Sequence, residues 1–341
     1  MGTLAPDTAI QDLITVGREA YNKNLVAARA GNLSIRLRGG RFIITGQGAP
    51  LGFLRRENLV VADCAGNKKQ GSANLSFESG LHAAIYKTMH PGAIVHLHPP
   101  FTLTLADAGL KLNPQTFEAA LFLGRVPVVP QQAPNVTDPG AVTAALTVNN
   151  IVILKNHGVV SIGETIWDAF FLAHLLEEAS QMRLLSHMLR TPRGDDATPV
   201  SGADTGVKPV GLFSNRHCAL LRKVAQRDQV LNGTCPTTGC SIGLKQAETG
   251  NMPLLLAFSP GKFRARQPGV TSNRFLVSGT ARSWEAVFNR LMDPFTALVQ
   301  KRMALEGDFR LMLQWYPFFR RLFDLWQTIP VSRELTGQEF L

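Results

Sequence analysis

Ala93-Ile94-Val95-His96-Leu97-His98-Pro99-Pro100 is an apolar run that carries two histidines one residue apart. It reads as a β-strand, and successive side chains of a strand point to opposite faces. His96 and His98 therefore project from one side, two residue rises apart, where both imidazoles reach a single metal ion. A second apolar run, Ile151-Val152-Ile153-Leu154-Lys155-Asn156-His157-Gly158, stops at a third histidine. Three neutral imidazoles around an ion with an open position form the donor set of a catalytic site rather than a closed structural one. On spacing alone, a surface histidine pair at a strand end and a turn histidine describe the same residues equally well.

Outward from these strands, helices and strands alternate. Residues 8–24 read as a helix with Ile10, Leu13, Ile14 and Gly17 on one side, and residues 42–45 and 59–62 as short strands. Ser76 reads as an N-cap, followed by a helix over residues 77–89 with a stripe of Phe77, Leu81, Ala84, Ile85 and Thr88. Helices near Glu118 and over residues 138–149 separate the two histidine strands. Residues 166–189 read as a long amphipathic helix with Ala169, Phe170, Ala173, Leu176 and Leu184 inward. This interleaving predicts an α/β first half.

The periodicity then fails. Residues 191–211 are crowded with Pro, Gly, Asp, Thr and Ser and read as a linker. Beyond it a helix is expected over 215–231 and strands over 253–258, 262–266 and 273–277, followed by a helical part rich in aromatic residues. The expected organisation is an α/β domain over 1–190, a linker over 191–211, and an α+β domain over 212–341. A chain of 341 residues accommodates two domains.

Composition narrows the function classes. With 45% hydrophobic and 18% charged residues the chain is unlike a disordered one. Four cysteines are too few and too scattered for a disulfide scaffold, and Cys235 and Cys240 match no Cys-x-x-Cys spacing. No N-terminal leader pattern and no uncharged apolar stretch of membrane-spanning length is seen, so a soluble, cytoplasmic protein is expected. The net charge of +10 is uneven: residues 1–190 carry +3 and residues 205–341 carry +9. The basic residues of the second half are scattered and match no base-reading motif, so no nucleic-acid partner is expected.

Three further motifs surround the histidines. Glu78 lies one helical turn before His82, on the same face. His82 reads as an inward residue that packs or caps, with a place behind the site as the alternative, and His90, His174, His187 and His217 read as structural. Gly31-Asn32-Leu33-Ser34 and Ile43-Ile44-Thr45-Gly46-Gln47-Gly48 are glycine turns flanked by strands. Such turns can offer backbone N–H groups to anions, and ordinary turns share the same composition.

In order, Gly-Asn-Leu-Ser, Ile-Thr-Gly-x-Gly, Ser-x-Glu-x3-His, His-x-His and Asn-His-Gly resemble the class II aldolase/adducin family over about residues 8–190. The resemblance implies a three-layer αβα sandwich around a mostly antiparallel sheet, assembled as a homo-oligomer, commonly a tetramer. It implies a divalent metal on His96, His98 and His157, zinc first, with iron or manganese as alternatives. Glu78 would be the catalytic acid/base, and Gly31, Asn32, Gly48 and Ser76 would line the end that takes the anion or carbonyl of a small-molecule substrate. The implied reaction is aldolase-type carbon–carbon cleavage or formation, in which the metal stabilises an enediolate and the carboxylate carries the proton.

Two departures bear on the substrate. Gln47 precedes Gly48, and Phe77 separates Ser76 from Glu78, where sugar-phosphate aldolases carry small hydroxyl residues. These replacements imply a larger, less polar hydroxy-carbonyl or keto-acid substrate rather than a simple sugar phosphate. The alternatives are an adducin-like scaffold without catalysis, and an iron oxygenase or decarboxylase on the same scaffold.

In the second half, the segment 275–298, with Asp293-Pro294 opening a helix, and the turn Glu306-Gly307-Asp308 resemble the sterol-carrier-protein-2-like family. This resemblance implies a sheet with helices over an apolar cavity that takes a hydrophobic or acyl group; an ordinary α+β core is the alternative. The aromatic run over residues 315–326 is expected to be a buried closing helix.

Overall fold

The computed structural model describes residues 6–136, 138–189, 209–249, 254–259, 262–266, 275–331 and 339–340. Residues 191–208, most of the segment expected to be a linker, lie outside them. The described residues fall into two compact units, one of residues 6–189 with 339–340 and the other of residues 209–331.

The first unit runs α1 (Pro6–Asn22), β1 (Asn32–Leu37), β2 (Arg41–Thr45), β3 (Leu59–Asp63), β4 (Lys68–Gln70), α2 (Ser79–Met89), β5 (Ala93–Leu97), α3 (Pro100–Asp107), α4 (Phe117–Phe122), β6 (Pro127–Val129), α5 (Pro139–Leu146), β7 (Ile151–Leu154), β8 (Gly158–Gly163) and α6 (Ile166–Leu189). The sheet order is β6-β7-β8-β5-β1-β2-β3-β4, with the two-residue strand Glu339–Phe340 beside β6. Every pairing but β6 with β7 is antiparallel.

Alternation along the strands makes two cores. Leu33, Ile35, Ile43, Val95, Leu97, Ile151, Ile153 and Val159 pack with the inward stripes of α1 and α6 (Leu13, Val16, Ala169, Ala173, Leu176) and with residues of α3 and α4. On the other face Phe42, Ile44, Val60, Ile94, Val152 and Val160 meet Leu81, Ile85 and Tyr86 of α2 and Val142 and Leu146 of α5. These are the three layers of an αβα sandwich. By the same alternation, His96 belongs to the α2/α5 face.

One helix start differs from expectation. Ser76 does not cap a helix beginning at Phe77. Its hydroxyl accepts from the Glu78 amide and its carbonyl from the Ser79 amide, closing a turn, so α2 begins at Ser79 with Glu78 at the N-cap position.

The second unit holds α7 (Asn215–Arg227), α8 (Gln229–Thr234), β9 (Cys240–Gln246), β10 (Leu254–Ser259), β11 (Lys262–Arg266), β12 (Phe275–Gly279), α9 (Ala281–Phe288), α10 (Pro294–Val299), β13 (Ala304–Glu306), α11 (Phe309–Gln314) and α12 (Tyr316–Trp326). Its sheet order is β11-β10-β9-β12-β13. The single helix expected over 215–231 is two helices. Asp228 ends α7 and caps α8 by accepting from the Leu231 amide, and Arg321 holds the same carboxylate from 93 residues away. Helix α12 buries Phe318, Phe319, Leu322, Phe323 and Trp326 against a core that includes Trp284 and Phe288. No helix among the described residues is long and apolar enough to cross a membrane.

Candidate metal centre

His96 lies within β5, fully buried, and its backbone pairs with Val160 on one side and Asn32 on the other. His98 follows the strand end, its amide donating to the Leu25 carbonyl at 2.9 Å. His157 arrives from the β7–β8 hairpin. Leu154 pairs with Gly158 across that turn, Asn156 takes a left-handed φ of 62°, and the His157 amide donates to the Leu154 carbonyl at 3.0 Å. Because β8 also pairs with β5, the hairpin tip is delivered beside the two strand histidines.

The three rings stand at near-equal spacing, with centroids 4.9, 4.8 and 5.1 Å apart and planes steeply tilted. One nitrogen from each lies within 4.8 Å of the others. His96 Nδ1–H donates to the Val159 carbonyl at 2.9 Å, which fixes the tautomer and leaves the Nε2 lone pair facing His98 Nε2 at 3.1 Å. Two nitrogens on one tetrahedral zinc ion stand about 3.4 Å apart, so the observed pair matches a shared ion. His157 Nδ1 is buried without a partner. The donor set fits a divalent metal with a position left for substrate.

Burial, and then the neighbouring His98 and His157, hold His96 well below the usual imidazole range. Burial pushes His98 down to about 4 and lowers His157. All three are neutral at pH 7, the state in which imidazole binds a metal.

Gly158 makes this packing possible, a role the sequence reading did not assign it. A Cβ there would stand 2.5 Å from the Leu97 carbonyl oxygen and 2.8 Å from both His96 Cε1 and His98 Cδ2. Its only signal in the chain is a glycine directly after the turn histidine. Glu177 was likewise missed: it is a buried carboxylate on the apolar stripe of α6 whose oxygens accept from the Phe101 and Thr102 amides and the Thr102 hydroxyl. A lone acid among Ala173, Leu176 and Ser180 was the available clue.

The other expected site residues are placed as follows. Glu78, at the start of α2, accepts from the Val136 amide at 3.1 Å through Oε1, while Oε2 is buried without a partner. Burial raises its carboxyl pKa, against the opposing Val136 bond. Its carboxylate stands outside the three-histidine cluster. Asn32 is the cross-strand neighbour of His96, on the same face, and its Oδ1 is also buried without a partner. Gly31, at φ 79°, lets β1 approach β5: a Cβ would stand 2.8 Å from the His96 carbonyl oxygen. Gly48 has a φ of 64° and its carbonyl accepts from the Arg29 guanidinium at 3.3 Å. Ser76 holds the turn before α2.

Residues 11–184 match the sequence profile of the class II aldolase and adducin N-terminal domain. The chain belongs to this family. Residues 237–320 match the SCP-2 sterol transfer family. Among class II aldolase relatives, L-fuculose phosphate aldolase of Methanocaldococcus jannaschii is 28% identical over 181 residues, which is 53% of this chain and 98% of that protein. The 3-oxo-tetronate 4-phosphate decarboxylase of Haemophilus influenzae is 32% identical over 182 residues, covering 50% of this chain and 84% of that one. The crystal structure of YgbL from Klebsiella pneumoniae matches with a TM-score of 0.51 at 28% identity, over 55% of this chain and 94% of that one. Aldolase and decarboxylase relatives alike support a lyase-type enzyme.

Proposed function

We propose that the first unit is a metal-dependent lyase acting on a hydroxy-carbonyl or keto-acid substrate. The carrying observation is the convergence of three neutral imidazoles, with His96 locked by the Val159 carbonyl so that Nε2 faces His98. His96, His98 and His157 would hold a divalent ion, zinc first. Such an ion supplies Lewis-acid stabilisation of negative charge developing on substrate oxygens.

Glu78 carries the proton. Its buried, unpartnered Oε2 and its pKa, raised by burial, suit a carboxyl group that takes and returns a proton. Asn32 lies beside His96 to orient the substrate, and the turns of Gly31, Gly48 and Ser76 shape its polar end. Phe77, 71% exposed beside Glu78, favours a substrate less polar than a simple sugar phosphate. Decarboxylation of a keto acid is the second reading, favoured by the decarboxylase relative. We also propose a homo-oligomer: α6 exposes Phe171, Leu185, Met188 and Leu189, an apolar face to be tested by light scattering.

Elemental analysis of purified wild type beside His96→Ala tests the centre. Near-stoichiometric zinc that is lost in the variant supports the lyase; iron in its place supports oxygen chemistry; no metal after reconstitution removes the catalytic reading. A turnover screen of hydroxy ketones, keto acids and sugar phosphates tests the substrate, and a sugar phosphate as best substrate would end the less-polar assignment.

A further inference from the structure

Ser34, His82 and Tyr86 form a buried polar chain inside the apolar layer between β1 and α2. Ser34 Oγ lies 2.6 Å from His82 Nδ1 and 2.8 Å from the Tyr86 hydroxyl. His82 is fully buried. Only one arrangement of protons satisfies both hydroxyls: Tyr86 O–H donates to Ser34 Oγ, and the Ser34 hydroxyl donates to His82 Nδ1, since a proton on Nδ1 would leave the serine hydroxyl without an acceptor. The opposite direction leaves a buried tyrosine proton with no acceptor. The chain therefore fixes neutral His82 with its proton on Nε2, and burial keeps it neutral by pushing its pKa to about 3.

That Nε2–H is buried without a partner. An unsatisfied buried donor carries the uncompensated cost of leaving water, so its retention calls for an acceptor. Two buried, unpartnered acceptors occupy the same layer. Glu78 Oε2 lies one turn earlier on α2, and Asn32 Oδ1 two residues earlier on β1, on the face shared with Ser34 and His96. One donor and two acceptors are the complement of one water molecule, whereas a substrate hydroxyl, with a single hydrogen, meets the donor and one of the two acceptors. Water there accepts from His82 and donates to Glu78 and Asn32; a substrate hydroxyl accepts from His82 and donates to Glu78.

We propose that His82 is a positioning residue for Glu78: its Nε2–H, set by the Tyr86–Ser34 chain, anchors an oxygen, of water or of a substrate hydroxyl, that orients Glu78 Oε2 and, when it is water, Asn32 Oδ1 as well. The proposal rests on the metal-lyase reading, and its test separates the two.

Two readouts are used on zinc-loaded full-length protein. In ¹⁵N-histidine NMR between pH 6 and 8, His82 is expected as the neutral Nε2–H tautomer. Tyr86→Phe and Ser34→Ala, which remove only hydroxyls, are expected to mix in the other tautomer. Binding of acetohydroxamate and glycolohydroxamate, bidentate chelators of which the second bears an extra hydroxyl, is then measured by calorimetry. His82→Phe, Ser34→Ala and Tyr86→Phe are each expected to lose about tenfold in affinity with zinc content unchanged. His82→Gln, which keeps an N–H near the Nε2 position, is expected to recover most of it.

Loss confined to glycolohydroxamate assigns the oxygen to the ligand, and equal loss for both assigns it to water. An Nδ1–H tautomer in wild type, or unchanged affinity for both chelators in all three variants, overturns the proposal while leaving the metal centre standing. Failure of wild type to bind zinc overturns the lyase reading instead, and the tautomer measurement still decides the proton chain in metal-free protein.

Discussion

The Glu177 carboxylate on α6 grips Thr102, accepting from its amide at 2.8 Å and its hydroxyl at 2.7 Å, with a third bond from the Phe101 amide. Helix α3 begins at Pro100 with Pro99 at its N-cap, a residue whose side chain offers no cap, and the carboxylate supplies the missing acceptors. Pro99 directly follows His98, so Glu177 also anchors the exit of the chain from the histidine pair. Glu177→Ala should destabilise the first unit by about 2–3 kcal/mol, read by urea unfolding. It should also weaken zinc binding about tenfold, read by competition with a chromogenic chelator. Unchanged zinc affinity in a destabilised variant would restrict Glu177 to holding the helix.

Gly158→Ala places a methyl group against Leu97, His96 and His98 at distances no real Cβ shows. The histidine rings must turn away. Zinc affinity should fall at least tenfold, with a stability loss of about 1–3 kcal/mol from the displaced strand. Gly163, at the far end of β8, is the matched control: alanine there should reduce stability but leave zinc affinity within a few-fold, because its contacts are with residues 165–169.

Glu78→Gln retains the shape of the side chain and removes its titration. Fold, by circular dichroism, and zinc content should match wild type, while turnover falls by about 10²- to 10⁴-fold. Because burial raises the Glu78 pKa, its carboxylate form is lost at a higher pH than for a free glutamate. In wild type, activity should decline on acidification while zinc is still bound.

Stability of the metal-free protein should fall as pH drops. His82 and His98, and His217 in the second unit, have native pKa values pushed by burial to about 3, 4 and 4. Unfolded, each titrates near 6.5, so below that pH the unfolded chain takes up protons that the native one refuses. The loss begins near pH 6.5 and continues to about pH 4 for His98 and His217 and to about pH 3 for His82, at up to about 1.4 kcal/mol per pH unit for each histidine. Urea midpoints at pH 7, 6 and 5 in the presence of chelator measure it. A flat profile would mean that these rings accept protons in the folded state.

The parts legible in the chain are those set by short-range periodicity. Period-two alternation in Ala93–Leu97 was enough to put His96 and His98 on one side, and the 3.6-residue stripe of Ile166–Leu189 was enough for the long helix. Boundaries were less legible where local groups compete. Ser76 reads as a cap in isolation, but its hydroxyl and carbonyl close a turn and push the start of α2 to Ser79. Asp228 breaks the expected single helix because it serves two helix ends and a distant arginine at once.

By itself the sequence determined the α/β character of the first half, the strands and helices of clear period, and which residue types carry metal and proton chemistry, because those follow from side-chain periodicity and donor type. Only the tertiary structure decided that β8 lies between β7 and β5, which brings His157 to a pair of histidines about sixty residues earlier, and that Asn32 stands opposite His96. Strand order and register depend on which faces are buried together, a property of the whole sheet that no single strand contains. Gly158, Glu177 and the Tyr86–Ser34–His82 chain belong to the same class: each acquires its role only when segments far apart in the chain are brought within van der Waals or hydrogen-bond distance.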